Sequence, residues 1–236
     1  MDQPAIELNT LRFRWTQGSP AILDIDALAI APGERVFLCG PSGSGKTTLL
    51  NLLGGVMQPE VGQISILGTD ITALSGTARD AFRARHVGFI FQQFNLVPYL
   101  GLIENVTLPC RFSPERRKAA SANGALEAEA RRLLEAMQVD VDVLGQRPVA
   151  TLSVGQQQRV AAARALIGAP GLIIADEPTS SIDADARHAF MELLFNEIQQ
   201  TRATLVFVSH DAGLANLFDR TIKLAEINRA TLTEAA

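Results

Sequence analysis

The sequence predicts an α/β fold carrying a parallel sheet, on three observations. Two short, almost wholly apolar runs, Leu172–Ala175 and Thr204–Val208, are joined by an amphipathic stretch from about Asp185 to Gln200, and such β-α-β alternation makes strands parallel. A third apolar run, Arg35–Cys39, has the composition of a strand covered on both faces and leads into a glycine-rich turn and a helical stretch, Lys46–Leu53. Near the N-terminus, IELNTLRFRW and AILDIDALAI alternate apolar and polar residues, with turn chemistry at Ala31-Pro32-Gly33-Glu34, so this part reads as an antiparallel strand group.

Gln63–Leu67, followed by Gly68-Thr69-Asp70, reads as a strand and turn, and His86–Phe91 as a further strand. From about Gln92 to Ala150 strand-like runs are few, and Pro114–Val139 reads as one long helix. Leu126, Ala130, Leu133, Leu134 and Met137 fall at three- and four-residue spacings, with Glu127, Glu129, Arg131 and Arg132 mostly opposite; Gly124 weakens its start. The closing TLTEAA reads as a loose tail.

Hydrophobic residues make up 47% of the 236 and charged residues 19%, a mixture that buries a core rather than staying disordered. The net charge of -4 argues against a general nucleic-acid binder, and the basic Arg116-Arg117-Lys118 at a helix start reads as a solvated face. Cys39 and Cys110, the two cysteines, form no zinc pattern and read as thiols in a reducing compartment. The opening MDQPAIELNTLRFRW carries charges where a secretory signal needs an apolar core, so no export is expected. The apolar runs are far shorter than the ~20 residues that span a bilayer, and membrane association is expected only through a partner.

Two motifs carry chemistry. Gly40-Pro41-Ser42-Gly43-Ser44-Gly45-Lys46-Thr47 matches G-x-x-x-x-G-K-[ST] between a strand and a helix. The turn and the helix start, through Thr48, aim backbone N–H groups at phosphate oxygens. Lys46 is expected to reach the β- and γ-phosphates of a nucleotide, and the Thr47 hydroxyl to hold Mg²⁺. A glycine turn with an incidental lysine is the bland alternative, and the strand-loop-helix context disfavours it. Asp176 and Glu177 end an apolar strand, at the edge where open α/β sheets bind ligands. There Asp176 is expected to support Mg²⁺ and Glu177 to polarise an attacking water. A surface acid pair in a turn before Pro178 is the competing reading.

With Leu152-Ser153-Val154-Gly155-Gln156-Gln157-Gln158-Arg159-Val160 shortly before that strand, the chain resembles the ABC transporter ATP-binding subunits over roughly residues 5–225. The resemblance implies a P-loop NTPase, RecA-like core with an N-terminal antiparallel β subdomain and an inserted α-helical subdomain. The whole would be a single ABC ATPase domain, with core and β subdomain at about 1–91 and 156–236, and about 92–155 as the helical subdomain with the signature motif. It also implies that Trp15 stacks on adenine, that Gln92 contacts the metal and the attacking water, and that His210 contacts the γ-phosphate. Asp183 would couple two sites, and Ser153, Gly155 and Gln156 would close on ATP held by a second copy. Val154 stands where the family usually has glycine. If its backbone is left-handed a β-branched residue is strained there, and if helical it costs little.

The stretch from Phe89 to Val106 is similar to the branch containing LolD, FtsE and the MacB exporters. It implies a homodimer energising a separate transmembrane permease, two copies of it, by mechanotransmission, with Phe94–Leu100 and Tyr99 lining the permease groove. The expected ligands are ATP and Mg²⁺, no nucleic acid is expected, and the expected location is the cytoplasmic face of a bacterial inner membrane, peripheral through the permease. The alternatives are an ATP-dependent dimer clamp with little hydrolysis and a soluble ABC ATPase.

Overall fold

The computed structural model describes residues 3–145 and 147–230, and the TLTEAA tail lies outside the described residues. In chain order come β1 (Ile6–Phe13), β2 (Leu23–Ile30), β3 (Arg35–Cys39), α1 (Lys46–Leu53), β4 (Val61–Ile66), β5 (Thr69–Asp70) and α2 (Gly76–His86). Next are β6 (Val87–Ile90), α3 (Leu102–Thr107), α4 (Pro114–Ala120), α5 (Leu126–Ala136), α6 (Val141–Leu144) and α7 (Val154–Leu166). The chain closes with β7 (Leu172–Asp176), α8 (Ala184–Thr201), β8 (Thr204–Val208), β9 (Arg220–Lys223) and α9 (Leu224–Ile227). These elements fall into two compact units, one made of the chain up to Arg83 together with the chain from Thr204, the other of Ala84–Ala203.

In the first unit, β2-β1-β4-β5 form the antiparallel sheet expected from the alternating N-terminal segments. Ile6, Leu8, Leu11 and Phe13 are buried. The step from Leu8 to Leu11 breaks the two-residue period, and it coincides with the left-handed Thr10 and a register shift against β4. Separately, β3 pairs in parallel with β8 and β9. All five residues of β8 are buried, as the unbroken apolar run predicts for a strand covered on both faces.

In the second unit β6 pairs in parallel with β7, whose Leu172–Ala175 are fully buried. Its core is completed by Val160–Ala163 of α7, Leu133 and Leu134 of α5, and Leu102 and Val106 of α3.

Two expectations fail. The helix read over Pro114–Val139 is broken: α4 ends where the Ser121 N–H donates to the Arg117 carbonyl, and α5 starts after an extended Ala125. The basic run Arg116-Arg117-Lys118 was expected to be a solvated face, and Arg117 and Lys118 are exposed, but Arg116 is buried. Helix α2 carried no signal, because none of its residues is buried and it has no apolar stripe. Arg79 and Arg83 instead tether it by donating to the Gly55 carbonyl at 3.1 and 3.2 Å.

Candidate functional site

The Gly40–Thr47 motif folds as a turn between a strand and a helix. The chain leaves β3, turns through Gly43 (φ 76°) and Gly45 (φ 97°), and enters α1 at Lys46. Gly45 is the N-cap of α1 and makes no side-chain cap bond. The buried Lys46 ammonium donates to the Gly40 and Pro41 carbonyls, both at 2.8 Å, which brings its charge over the turn. Ser44 is 2% exposed and its Oγ has no hydrogen-bond partner. A buried hydroxyl without a partner beside a glycine-rich helix start fits an anionic oxygen ligand. Pro41, Ser42, Gly43 and Thr47 are exposed, while Thr48 is buried. Because Leu38 of β3 is in register with Val208 of β8, Gly40 and His210 leave the same strand edge. Trp15 follows β1, 62% exposed, with its ring edge-on to Phe13 at 5.3 Å.

The second unit assembles the remaining motifs. Ile90 of β6 is in register with Ala175 of β7, so Gln92 and the pair Asp176–Glu177 also leave one edge. Glu177 adopts φ 46°, a left-handed conformation that costs a non-glycine residue about 1 kcal/mol or more and turns the chain sharply out of the strand. Gln158, 1% exposed on α7, donates to the Pro178 carbonyl at 2.9 Å and fixes that turn. Helix α7 opens with a reciprocal cap: the Ser153 hydroxyl accepts from the Gln156 N–H, and the Gln156 side chain accepts from the Ser153 N–H at 3.0 Å. Val154 is the first helical residue, outside the left-handed region and 47% exposed, so its side chain causes no backbone strain. Asp183 accepts from the Ala186 N–H at 2.8 Å and caps α8.

Besides Gln158 of the signature stretch, two residues that the motifs do not include shape these loops. Arg164 donates to the Phe94 and Asn95 carbonyls at 2.5 and 2.6 Å, and both acceptors are left-handed. Burial pushes its guanidinium down to about 10. Its signal in the sequence is a lone charge in the apolar run AAARAL. Asn228, after α9, bonds the backbone of residues 22 and 24, and nothing in the sequence singles it out.

The Thr47 hydroxyl in the first unit and, in the second, the Gln92 amide oxygen and the Asp176 carboxylate are each a hard oxygen donor of the kind that Mg²⁺ takes. Among the described residues no cluster of three His, Cys, Asp or Glu could hold a metal by itself, and no helix is long and apolar enough to cross a membrane. The sequence profile of ABC transporters matches residues 23–180, two thirds of the chain. This chain belongs to the ABC transporter family. Among ABC transporter proteins, the lipoprotein-releasing system ATP-binding protein LolD of Chromohalobacter salexigens is 37% identical over 86% of this chain and 82% of its own length. LolD of Bacteroides fragilis is 38% identical over 89% of this chain and 94% of its own. The ATP-binding cassette MJ0796, solved as a dimer in a post-hydrolysis state with ADP and Pi, superposes with a TM-score of 0.80 at 34% identity, over 92% of this chain and 93% of that one. The ABC cassette fold implied by the motifs therefore holds.

Proposed function

We propose that this chain is the ATP-binding and ATP-hydrolysing subunit of an ABC transporter, working as a dimer and energising a separate membrane permease of the lipoprotein-releasing type. The observation that carries the reading is that one ABC chain holds a complete phosphate loop at Gly40–Thr47, a capped signature helix starting at Ser153 and an acid pair at the end of β7. The relatives named as lipoprotein-releasing ATP-binding proteins support the type of permease, and the dimeric cassette supports assembly in pairs. In this reading residues of about 92–155 act as the helical subdomain, and the protein sits on the cytoplasmic face of the membrane through its permease.

The roles follow from the side chains. The N–H groups from Gly40 to Thr48 and the Lys46 ammonium bind the β- and γ-phosphates, and Trp15 offers its exposed face to the adenine. The Thr47 hydroxyl, the Gln92 amide oxygen and the Asp176 carboxylate would hold Mg²⁺, which when bound neutralises charge on the phosphate oxygens. Glu177 accepts a hydrogen bond from the water whose oxygen attacks the γ-phosphorus as the bridging bond to the β-phosphate breaks. His210 donates to the γ-phosphate. Ser153, Gly155 and Gln156 present the start of α7 to the nucleotide of a second copy. Because Val154 is helical and unstrained, hydrolysis is favoured over a clamp without turnover.

The test is steady-state ATPase activity and the ATP-dependent oligomeric state of the chain beside Glu177→Gln, with and without its permease. The expected result is a loss of turnover of roughly a hundredfold or more in the variant, with an ATP-trapped dimer. Wild-type turnover in Glu177→Gln would remove the assigned role of Glu177. An inactive wild type, with the permease present, would leave the clamp.

A further inference from the structure

The short segment from Leu224 to Asn228 touches the phosphate loop at Gly40 and backs its other end through Ile22–Asp24. Leu224, fully buried at the start of α9, places its Cβ 3.5 Å from where a Cβ would stand on Gly40, so it bears directly on the first residue of the loop. At the other end a Cβ on Gly45 would lie 3.0 Å from Leu23 Cδ2, 3.1 Å from Ile22 Cγ2 and 3.4 Å from the Ile22 carbonyl. The left-handed N-cap of α1 therefore rests on the backbone and side chains of Ile22–Leu23.

Asn228 holds that backing segment. Its Nδ2 donates to the Ile22 carbonyl at 2.9 Å and its Oδ1 accepts from the Asp24 N–H at 2.8 Å. One amide side chain thus makes the two bonds that a neighbouring strand would make to residues two apart. The grip is extended by the Arg229 N–H, which donates to the Asp24 carbonyl at 2.8 Å, and by the Arg229–Asp26 ion pair. Asn228 is itself fixed, because its N–H donates to the Leu224 carbonyl at 2.8 Å and its Oδ1 also accepts from the Ala230 N–H at 3.2 Å. Ile22 is held from its other side as well, where its N–H donates to the carbonyl of Phe13, the ring against which Trp15 rests.

We infer that Asn228 is a positioning residue for nucleotide binding: by fixing Ile22–Asp24 it sets the backing of Gly45 and with it the shape of the phosphate loop. This rests on the reading of Gly40–Thr47 as the nucleotide phosphate site. The Ile22 carbonyl lies close beside Gly45, and Asn228 Nδ2 is the side-chain donor that fixes it there. The loop surrounds phosphates shared by ADP and ATP, so a loosened backing weakens both nucleotides by the same factor.

The experiment is calorimetric titration of ADP into the full chain, together with KM and kcat for MgATP, for wild type, Asn228→Ala and Asn228→Asp. Asp keeps the acceptor for the Asp24 N–H but loses the donor to Ile22. The expected result is that both variants raise the ADP Kd and the ATP KM by roughly five- to tenfold, the equivalent of one or two hydrogen bonds, with kcat within about twofold of wild type. Arg220→Ala is the stability control. It loses bonds to Ala29 and Glu34 in the same unit and touches neither Ile22 nor the loop, so it lowers the melting temperature and leaves the ADP Kd unchanged. If Asn228→Ala fails to fold, Asn228→Asp carries the test alone. Wild-type ADP affinity in a folded Asn228 variant, with binding abolished by Lys46→Ala, overturns the inference and leaves the nucleotide site intact. A rise in ADP Kd matched by that in Arg220→Ala also overturns it, as a loss of stability only. A wild type that binds no ADP overturns both the inference and the reading on which it rests.

Discussion

Arg116 is 3% exposed, and its guanidinium donates to four backbone carbonyls: Ile167 at 2.8 Å, Ala165 at 2.7 Å, Val87 at 3.0 Å and Ala84 at 3.3 Å. Two of these carbonyls end α7 and one lies in the last turn of α2, where orphan acceptors and the negative end of the helix dipole favour a cation. Burial, the largest cause, pushes the group down to about 10. Arg116→Met removes the donors and leaves buried carbonyls unmet, so the urea midpoint is expected to fall by the equivalent of about 3 kcal/mol with an unchanged slope. A loss under about 1 kcal/mol would mean that the carbonyls find other partners. In the sequence this residue was read wrongly, as one of three basic side chains at a helix start. Its inward position becomes plain only with the next turn, where Ala120 is also buried, and the acceptors come from segments some 30 and 50 residues away. Lys46 was legible for the opposite reason, since the Gly40 and Pro41 carbonyls to which it donates lie within six residues.

At the scale of elements, α7 is the common support of the second unit. Its first turn carries the Ser153–Gln156 cap, its middle holds Pro178 through Gln158, and its last turn holds the Phe94–Asn95 loop through Arg164. Replacing Arg164 by Met leaves two left-handed residues without their donor. Amide exchange over residues 92–97 is then expected to quicken by roughly tenfold or more, with the middle of α7 still protected and ATP turnover lowered. Unchanged exchange in that loop would show that its conformation is kept by local bonds alone. Elements with their own periodicity were legible: Arg35–Cys39 and Thr204–Val208 have the predicted bounds, and β7 and α8 extend theirs by only one residue at an end. Those held by tethering were not. Helix α2 has no buried face, and of the four residues of β9 only Ile222 is buried. The break after Ala120 was hidden because the residues on either side of it favour a helix.

For the molecule as a whole, the motif order disclosed the family, but sequence motifs carry no record of which distant segments share a unit. The first unit is discontinuous, and its central β3 lies between β8 and β9. The bonds that complete it join Arg35 to Asp219 and Ile22 to Asn228, 184 and 206 residues apart in the chain. The second unit is one continuous stretch, Ala84–Ala203. Closing the longer loops is slower, so in refolding the amides of β6 and β7 are expected to gain protection before those of β3, as pulsed hydrogen exchange can record. Simultaneous protection of the three strands would mean that the two units fold as one. During translation the same topology has a direct effect. The phosphate loop leaves the ribosome early, yet β3 has neither of its parallel neighbours until the codons for residues 204–223 have been read. A nascent chain that stops short of these residues displays the loop sequence without the sheet that shapes it, so competence for ATP waits until residues 204–223 are made.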